Sequence, residues 1–278
     1  MNRPIILLAD NGSGKAGAVL NLRRLAKQMG DLSQRQVYPV SLQHADKIPV
    51  DDLAGKPADT LQPFLRHKLT EGERNFILIP LFFGLSRALT AFIPQQVDLL
   101  KAEFGEFNLQ QGDVLYPLPQ GEPRVAKIVF DQIQQSTNGE KLQQVVVVDH
   151  GSPLPQVTAV RTEVTRDLRN LFESDIPISE ASMERRSGSE YDFNGELLED
   201  ELSRIAELNP EVTVDLAQLF ISPGRHAGPG GDIEQICERL RVTFPRLKIR
   251  ISQLVGQHDG LAGILCDRLN SALAENHD

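Results

Sequence analysis

An internal repeat with an almost constant offset is the feature that most constrains the fold of this chain. The apolar segment Phe76–Phe83 corresponds to Val214–Ile221, at an offset of 214 − 76 = 138 residues. Val125–Asp131 corresponds in the same way to Leu261–Asp267, at an offset of 136. Because several segments keep nearly the same offset, they indicate the duplication of a whole structural unit.

Each repeat opens with an apolar segment that lacks polar–apolar alternation, Pro4–Ala9 in the first and Val145–Asp149 in the second. Such segments are typical of strands that are buried on both faces, as in parallel sheets. Helical patterns follow at Ala18–Met29 and Val157–Phe172. Each repeat therefore predicts strand, helix, strand, helix, strand and helix, an α/β fold with mainly parallel sheets flanked by helices.

The boundary between the repeats is expected in the polar segment Gln132–Gln144, which we interpret as a linker. We therefore expect two tandem domains, residues 1–138 and residues 139–278. The acidic segment Gly188–Glu201 has no counterpart in the first repeat. We interpret it as an insertion, a loop that leads into a helix.

Composition excludes several classes of protein. The net charge of 29 − 38 = −9 argues against a nucleic-acid-binding protein, which usually needs a basic face. No apolar run reaches 18 residues, so no transmembrane helix is expected. Cys237 and Cys266 are too far apart for a CxxC metal site and make no disulfide framework. A cytoplasmic location is the simplest interpretation.

Three residues with ligand chemistry follow predicted strands of the second repeat. His150 follows Val145–Asp149, Glu184 follows Ile176–Ser182, and His226 lies in the glycine-rich segment after Val214–Ile221. Ligands of open α/β sheets bind beyond the carboxyl ends of the strands. Two imidazoles and a carboxylate meeting there are able to hold a divalent metal or to exchange protons.

The first repeat has lost this set of residues. Asn11 stands in the place of His150, and Ala88 stands in the place of His226. His44 falls near the position of Glu184, but it has no partners. The asymmetry predicts a single functional site, in the second repeat.

The ordered motifs of the second repeat resemble one known family. They are Val148–Ser152, Met183-Glu184, Leu219–His226 with Asp232-Ile233, and Gly256–Ala262. This set resembles the class II tetrapyrrole chelatases, above all the sirohydrochlorin cobaltochelatases and ferrochelatases of cobalamin and sirohaem biosynthesis. The resemblance is strong over residues 145–278 and weaker over residues 1–135.

The resemblance implies two chelatase-like domains with a cleft between them. It also implies an enzyme, a lyase that inserts Co²⁺ or Fe²⁺, with Ni²⁺ possible, into sirohydrochlorin or a related tetrapyrrole without ATP. His150, His226 and Glu184 carry over as the catalytic and metal-binding residues. The metal is then a substrate, and no tightly bound cofactor is expected.

Other residues are candidates for binding the carboxylates of such a substrate. Arg225 is able to pair with a carboxylate, although a structural salt bridge is an equal alternative. Ser152 either contacts substrate or caps the following helix. The backbone N–H groups of Gly228, Gly230 and Gly231 either bind a carboxylate or form a plain turn before a helix. Weaker candidates are Arg161, Arg185 and Arg186.

A second function remains open from the sequence. A tetrapyrrole or metal carrier that kept the fold and lost turnover would also explain the degenerate first repeat. The complete set of two histidines and one glutamate favours the enzyme. The expected partners are a tetrapyrrole and a divalent metal ion, without nucleic acid or membrane, in a monomer or a homodimer.

Overall fold

The computed structural model describes residues 3–172 and 175–275 as alternating strands and helices. The strands are β1 (Ile5–Asp10), β2 (Val37–Ser41), β3 (Asn75–Pro80), β4 (Asn108–Gln111), β5 (Gln144–Asp149), β6 (Ile178–Ser182), β7 (Glu196–Leu197), β8 (Thr213–Gln218) and β9 (Lys248–Ile251). The helices are α1 (Ala16–Ser33), α2 (Leu61–Thr70), α3 (Ile93–Phe104), α4 (Pro123–Thr137), α5 (Pro155–Arg169), α6 (Leu198–Leu208), α7 (Asp232–Thr243) and α8 (Leu261–Glu275). In these ranges no helix has the length and apolar character needed to cross a membrane. The predicted α/β class is confirmed.

The strands of the described residues form two parallel sheets. The first has the order β2-β1-β3-β4, and the second has the order β7-β6-β5-β8-β9. Four of the interior strands, β1, β3, β5 and β8, are almost entirely buried. The apolar runs of β1, β3 and β5 fit this burial, because both faces of such a strand are covered by helices. β8 has the mixed sequence TVDLAQ, and its buried Asp215 is paired with Arg250.

Each repeat contains one more full strand than the sequence predicts. β4 has the sequence NLQQ and β9 the sequence KIRI, and each pairs with a single neighbour at the edge of its sheet. Four residues of polar or mixed character give no clear period, so these strands could not be recognised from the pattern. The insertion is confirmed as a loop with a short helical turn, Ser189–Asn194, which leads through β7 into α6.

The helix that ends each repeat belongs to the compact unit of the other repeat. One unit contains the described residues up to Pro117 and those from Asp259 onward, and the other contains those within Leu118–His258. Thus α8 packs on α1 and β3, whereas α4 packs on α5, β8 and β9. The units therefore do not follow the predicted division into residues 1–138 and 139–278.

The first half of the predicted linker, Gln132–Gln144, is helical. Helix α4 continues to Thr137, and the left-handed residue Asn138 ends it. Gln132 and Ile133 lie on the buried face of this helix, and the side-chain amide of Gln132 donates to the carbonyl of Leu254 at 2.6 Å. The many polar residues of this segment made a packed helix look like a linker. The connection between α4 and β5 spans only residues 138–143.

The first strand of each repeat ends in an aspartate, but the two aspartates have different surroundings. Arg161 donates to Asp149 at 2.6 Å, twelve residues along the chain (161 − 149 = 12). Leu22 stands at the same interval from Asp10 (22 − 10 = 12). Burial raises the pKa of Asp10 to about 6, even though hydrogen bonds with Ser41 and the Gly12 N–H lower it. A buried carboxyl without a cation favours its neutral form.

The pKa of Asp10 predicts a loss of stability as the pH rises. The pKa of Asp10 is about 6 in the folded protein, against an ordinary value of 3.8. Its contribution to folding stability is therefore complete below pH 3.8 and is lost as the pH rises through about 6. The difference corresponds to about 3 kcal/mol of unfolding free energy. We expect Asp10→Asn, which stays neutral, to remove this dependence when urea unfolding is compared at about pH 4 and about pH 8.

Asp31→Asn is the matched control, because Asp31 is exposed and paired with Lys27. This variant should keep the pH dependence of the wild type. An Asp10→Asn protein that loses as much stability as the wild type over this range would contradict the prediction.

Candidate metal centre

The structure brings His150, Glu184 and His226 together at the carboxyl ends of β5, β6 and β8. One potential ligand atom from each residue lies within 4.8 Å of the other two. The two imidazole rings are 4.7 Å apart between centroids, at an interplanar angle of 77°. Over residues 3–172 and 175–275, no other group of three His, Cys, Asp or Glu side chains has this arrangement.

Backbone hydrogen bonds hold the turn at His150 against the segment that carries Glu184. The N–H of Met183 donates to the carbonyl of Asp149 at 2.9 Å, and the N–H of Glu184 donates to that of His150 at 3.0 Å. Gly151 makes this approach possible. Its φ is +81°, and a Cβ there would lie 1.9 Å from the carbonyl oxygen of Glu184. Only glycine fits such a conformation and such a contact.

The glycine-rich turn before α7 places His226 in the same way. The N–H of Ile233 donates to the carbonyl of His226 at 3.0 Å. A Cβ at Gly231 would lie 2.7 Å from this carbonyl oxygen, and Gly228 has a φ of +95°. His226 is only 7% exposed as a result.

Both imidazoles present the same nitrogen to the site. His150 Nδ1 lies 3.1 Å from the carbonyl oxygen of Gly151, and His226 Nδ1 lies 2.9 Å from Asp232 Oδ2. Carbonyl and carboxylate oxygens only accept hydrogen bonds, so these contacts favour the neutral tautomer that carries its proton on Nδ1 and leaves the electron pair of Nε2 for a metal. This is the arrangement of a histidine that binds metal through Nε2 and is oriented by a partner at Nδ1.

The spacing and the protonation of the set suit a divalent metal. His226 Nε2 and Glu184 Oε1 are 3.4 Å apart. Ligand bonds of about 2.1 Å in tetrahedral geometry separate neighbouring ligand atoms by roughly the same distance. Burial, and next the neighbouring His150, lower the pKa of His226, and the carboxylates of Glu184 and Asp232 oppose them. The net effect favours the neutral imidazole that a metal requires.

A buried arginine joins the elements that carry His150 and Glu184. Arg161 is 2% exposed and donates to the side chains of Asp149 and Glu180, at 2.6 and 3.1 Å, and to the carbonyl of Ala181 at 3.0 Å. It also donates to the carbonyl of Asn194 at 2.8 Å. The sequence offered Arg161 as a weak candidate for binding substrate, but its burial assigns it a structural role.

The insertion supports the same turn through Asn194. The side chain of this buried residue accepts a hydrogen bond from the N–H of Ser152 and donates one to the carbonyl of Ser152, both at 2.9 Å. The hydroxyl of Thr158 donates to the same amide oxygen at 2.9 Å. A segment that exists only in the second repeat therefore fixes the backbone next to His150.

The residues predicted to bind substrate differ in their surroundings. Arg225 is 76% exposed beside the set and lies 3.4 Å from Glu184. The hydroxyl of Ser152 accepts from the N–H of Leu154 at 3.1 Å, within the turn that precedes α5. This contact is not a helix cap, because Leu154 itself is the N-cap residue of α5 and no side chain caps that helix.

The glycines before α7 form a plain turn, which was the alternative to carboxylate binding. The N–H of Gly230 donates to Glu234 at 2.7 Å, and the N–H of Gly231 donates to the carbonyl of Gly228 at 3.0 Å. The N–H groups of Gly230 and Gly231 are thus used inside the turn, and the structure does not support the predicted carboxylate binding through them. These glycines matter because they let the backbone approach His226 closely.

The first repeat keeps the backbone of the site without its ligands. A Cβ at Gly12, whose φ is +87°, would lie 1.7 Å from the carbonyl oxygen of Gln43, just as one at Gly151 would meet Glu184. The registers agree, since Asp10 pairs with Ser41 and Asp149 pairs with Ser182. Gln43 is therefore the counterpart of Glu184, and His44, which the sequence placed near that position, lies one residue beyond it.

Comparison with known proteins connects this site to one fold. Residues 144–272 match the family model CbiX. Over 99% of this chain and 98% of the other, the structure is similar to SirB from Bacillus subtilis with Fe³⁺, with a TM-score of 0.73 and 14% identity. The structure is also similar to SirB from Bacillus subtilis subspecies spizizenii in complex with cobalt, which is described as a sirohydrochlorin chelatase. This comparison gives a TM-score of 0.69 and 14% identity, over 98% of this chain and 95% of the other.

A third solved structure agrees with the first two. CbiX, described as the terminal enzyme of sirohaem biosynthesis in denitrifying bacteria, gives a TM-score of 0.60 and 12% identity over 97% of this chain and 99% of that one. The chain has the fold of the class II chelatases. No curated protein sequence matches it.

On this chelatase fold, the sequence missed two residues that act on the ligands indirectly. Asp232 was named as part of a motif and was given no role toward the metal, but it accepts the hydrogen bond from His226 Nδ1. Asn194 was hidden in the insertion. The weak signal for Asp232 is a carboxylate in the first turn of the helix that follows a histidine. Asn194 gives no signal, because its contact with Ser152 spans 42 residues.

Substitution of Gly151 tests whether the backbone turn next to His150 is needed for metal binding. Gly151→Ala would force the turn away from the carbonyl of Glu184, so we expect Co²⁺ affinity, measured by calorimetry, to fall at least about tenfold. Gly12→Ala is the matched control, because its Cβ meets the carbonyl of Gln43 in the repeat without ligands. Both variants should lose stability, by about 1–2 kcal/mol or more. Equal Co²⁺ affinity in the two variants would refute the assignment.

The carboxylate of Asp232 should orient His226 toward the metal. Asp232→Asn keeps the shape of the side chain and removes its charge, so the imidazole becomes a weaker ligand. We expect Co²⁺ affinity to fall about tenfold in the same calorimetric titration. Glu211→Gln, which removes an exposed carboxylate paired with Arg246, should leave the affinity unchanged. Unchanged affinity in Asp232→Asn would show that the hydrogen bond has no part in metal binding.

Proposed function

We propose that this protein catalyses the insertion of a divalent metal, Co²⁺ or Fe²⁺, into sirohydrochlorin or a related tetrapyrrole without ATP. The observation that carries this proposal is the convergence of His150, Glu184 and His226 within 4.8 Å in a chain with the chelatase fold. The solved relatives include SirB structures with Fe³⁺ and with cobalt, which supports a metal substrate of this kind.

The proposed site is able to accept the metal from water. Two neutral imidazoles and one carboxylate suit Fe²⁺, Co²⁺ and Ni²⁺, and geometry and availability then decide among these ions. The set supplies three ligands, so further positions stay open for water and for the pyrrole nitrogens. An open set also allows the metal to leave, which insertion requires. No tightly bound cofactor is needed in this scheme.

The same residues are suited to accept the two protons that leave the pyrrole nitrogens. The pKa of His226 is lowered by burial and by His150, so its imidazole is neutral and available as a base. Its Nδ1 proton is held by Asp232, which would stabilise the imidazolium once the metal has left Nε2 and the freed electron pair has taken a pyrrole proton. Glu184, which is half exposed, is able to pass protons on to solvent.

A cleft beside the metal set offers room for part of the macrocycle. The residues around it are Met183, Glu184, Arg225, His226, Asp232, Gln235, Ile236 and Arg239. Apolar Met183 and Ile236 suit a pyrrole face, and the two arginines suit the carboxylates at its edge. Arg225, together with Ser152 near the turn, remains the proposed contact for these carboxylates. We propose that the protein acts in the cytoplasm, as a monomer or homodimer.

Metallation provides the direct test of this function. The protein is mixed anaerobically with sirohydrochlorin and Co²⁺ or Fe²⁺, and the visible spectrum is followed. We expect the wild type to accelerate metallation and His226→Ala to lose at least about 100-fold of that acceleration, since it removes a ligand and a base together. His67→Ala, which truncates an exposed histidine on α2, should behave as the wild type.

The alternative of a carrier gives a different result. A carrier would bind Co²⁺ or the tetrapyrrole and leave the rate of metallation unchanged. That outcome would reject the chelatase proposal, whereas acceleration in the wild type and in His67→Ala, lost in His226→Ala, would establish it.

A further inference from the structure

Arg225 shares its partners with the proposed metal set. Its Nη1 lies 3.4 Å from Glu184 Oε1, and its Nε lies 3.4 Å from Asp232 Oδ2. The same Glu184 oxygen lies 3.4 Å from His226 Nε2, and the same Asp232 oxygen holds His226 Nδ1. The guanidinium therefore occupies an oxygen that a metal bound by Glu184 and His226 would use.

A divalent cation at this oxygen would displace the guanidinium. Both carry positive charge, so a cation at Glu184 Oε1 repels the guanidinium and competes with it for that oxygen. Arg225 is 76% exposed, and its contacts at 3.4 Å are ion pairs without a close hydrogen bond. Exposed ion pairs of this kind contribute little free energy, so the side chain leaves at small cost.

A displaced Arg225 remains at the cleft beside the set. The other arginine of this cleft, Arg239, is held by Glu199 at 2.8 Å. Arg225 thus differs from Arg239, because the carboxylates that hold it are those of the metal site. Once released, its planar guanidinium is suited to bind a carboxylate in a bidentate manner.

We propose that Arg225 couples the two substrates of the site. It neutralises Glu184 and Asp232 before the metal arrives, and the bound metal releases it to bind a carboxylate of the tetrapyrrole. This inference rests on the proposed chelatase function and adds to it a positive coupling between the metal and the macrocycle. Thermodynamic linkage requires the effect to be reciprocal, so each substrate strengthens the binding of the other.

The test measures binding without turnover. Copper uroporphyrin, an octacarboxylate macrocycle with a filled centre, is titrated calorimetrically into the protein with and without Co²⁺, and Co²⁺ is titrated alone. In the wild type we expect Co²⁺ to tighten copper uroporphyrin binding about fivefold or more. Arg225→Gln should bind Co²⁺ alone about threefold tighter or better and should lose the coupling. Arg225→Lys should keep part of it.

Arg87→Gln is the matched control. Arg87 precedes Ala88 as Arg225 precedes His226, and Gln43 replaces Glu184 in that repeat. This variant has the same change of charge and should retain the wild-type coupling. Coupling of equal size in Arg225→Gln and the wild type would overturn the proposal. A wild type that binds Co²⁺ and metallates sirohydrochlorin, but shows no coupling, would also overturn it while leaving the proposed function intact.

Discussion

The buried guanidinium of Arg161 is the interaction on which the geometry of the candidate metal centre depends. It joins the side chain at the end of β5, the backbone of β6 and the backbone of the insertion at Asn194. His150 and Glu184 follow these two strands directly. Removal of one partner from a buried ion pair costs about 3–5 kcal/mol, because the remaining charge loses its compensation. The candidate ligands are thus held in place by charges that lie outside the set of His150, Glu184 and His226.

The two repeats show which parts of the site belong to the scaffold and which to the chemistry. The first repeat keeps the aspartate, the left-handed glycine and the close approach of the next strand, through Asp10, Gly12 and Gln43. It lacks the arginine, so burial raises the pKa of Asp10 to about 6 with no cation to oppose it, whereas Arg161 opposes the effect of burial on the pKa of Asp149. Backbone packing is needed for folding in both repeats, whereas the ligands are needed in one. A duplicated chain is therefore free to lose its ligands in one copy.

Sequence reasoning succeeded where the signal is local. The buried strand β5 and the order of His150, Glu184 and His226 along the chain were readable, because apolar runs and strand ends follow simple rules. The short strands β4 and β9 were missed, since four residues carry no period.

Features that depend on distant contacts were also missed. The hydrogen bond from His226 to Asp232 and the hydrogen bonds between Asn194 and Ser152 form only in the folded chain. The shift from His44 to Gln43 depends on strand register, which a single sequence offset cannot fix to one residue.

Because α4 and α8 each belong to the compact unit of the other repeat, the two halves of the chain are not independent of each other. A chain cut between the sequence repeats would separate α8 from α1 and β3, and α4 from α5 and β8. Each fragment would expose an apolar groove and carry a helix that fits the groove of the other fragment. Each half therefore lacks one helix of its own compact unit and carries one helix of the other unit, so both halves have to be produced together to recover either unit.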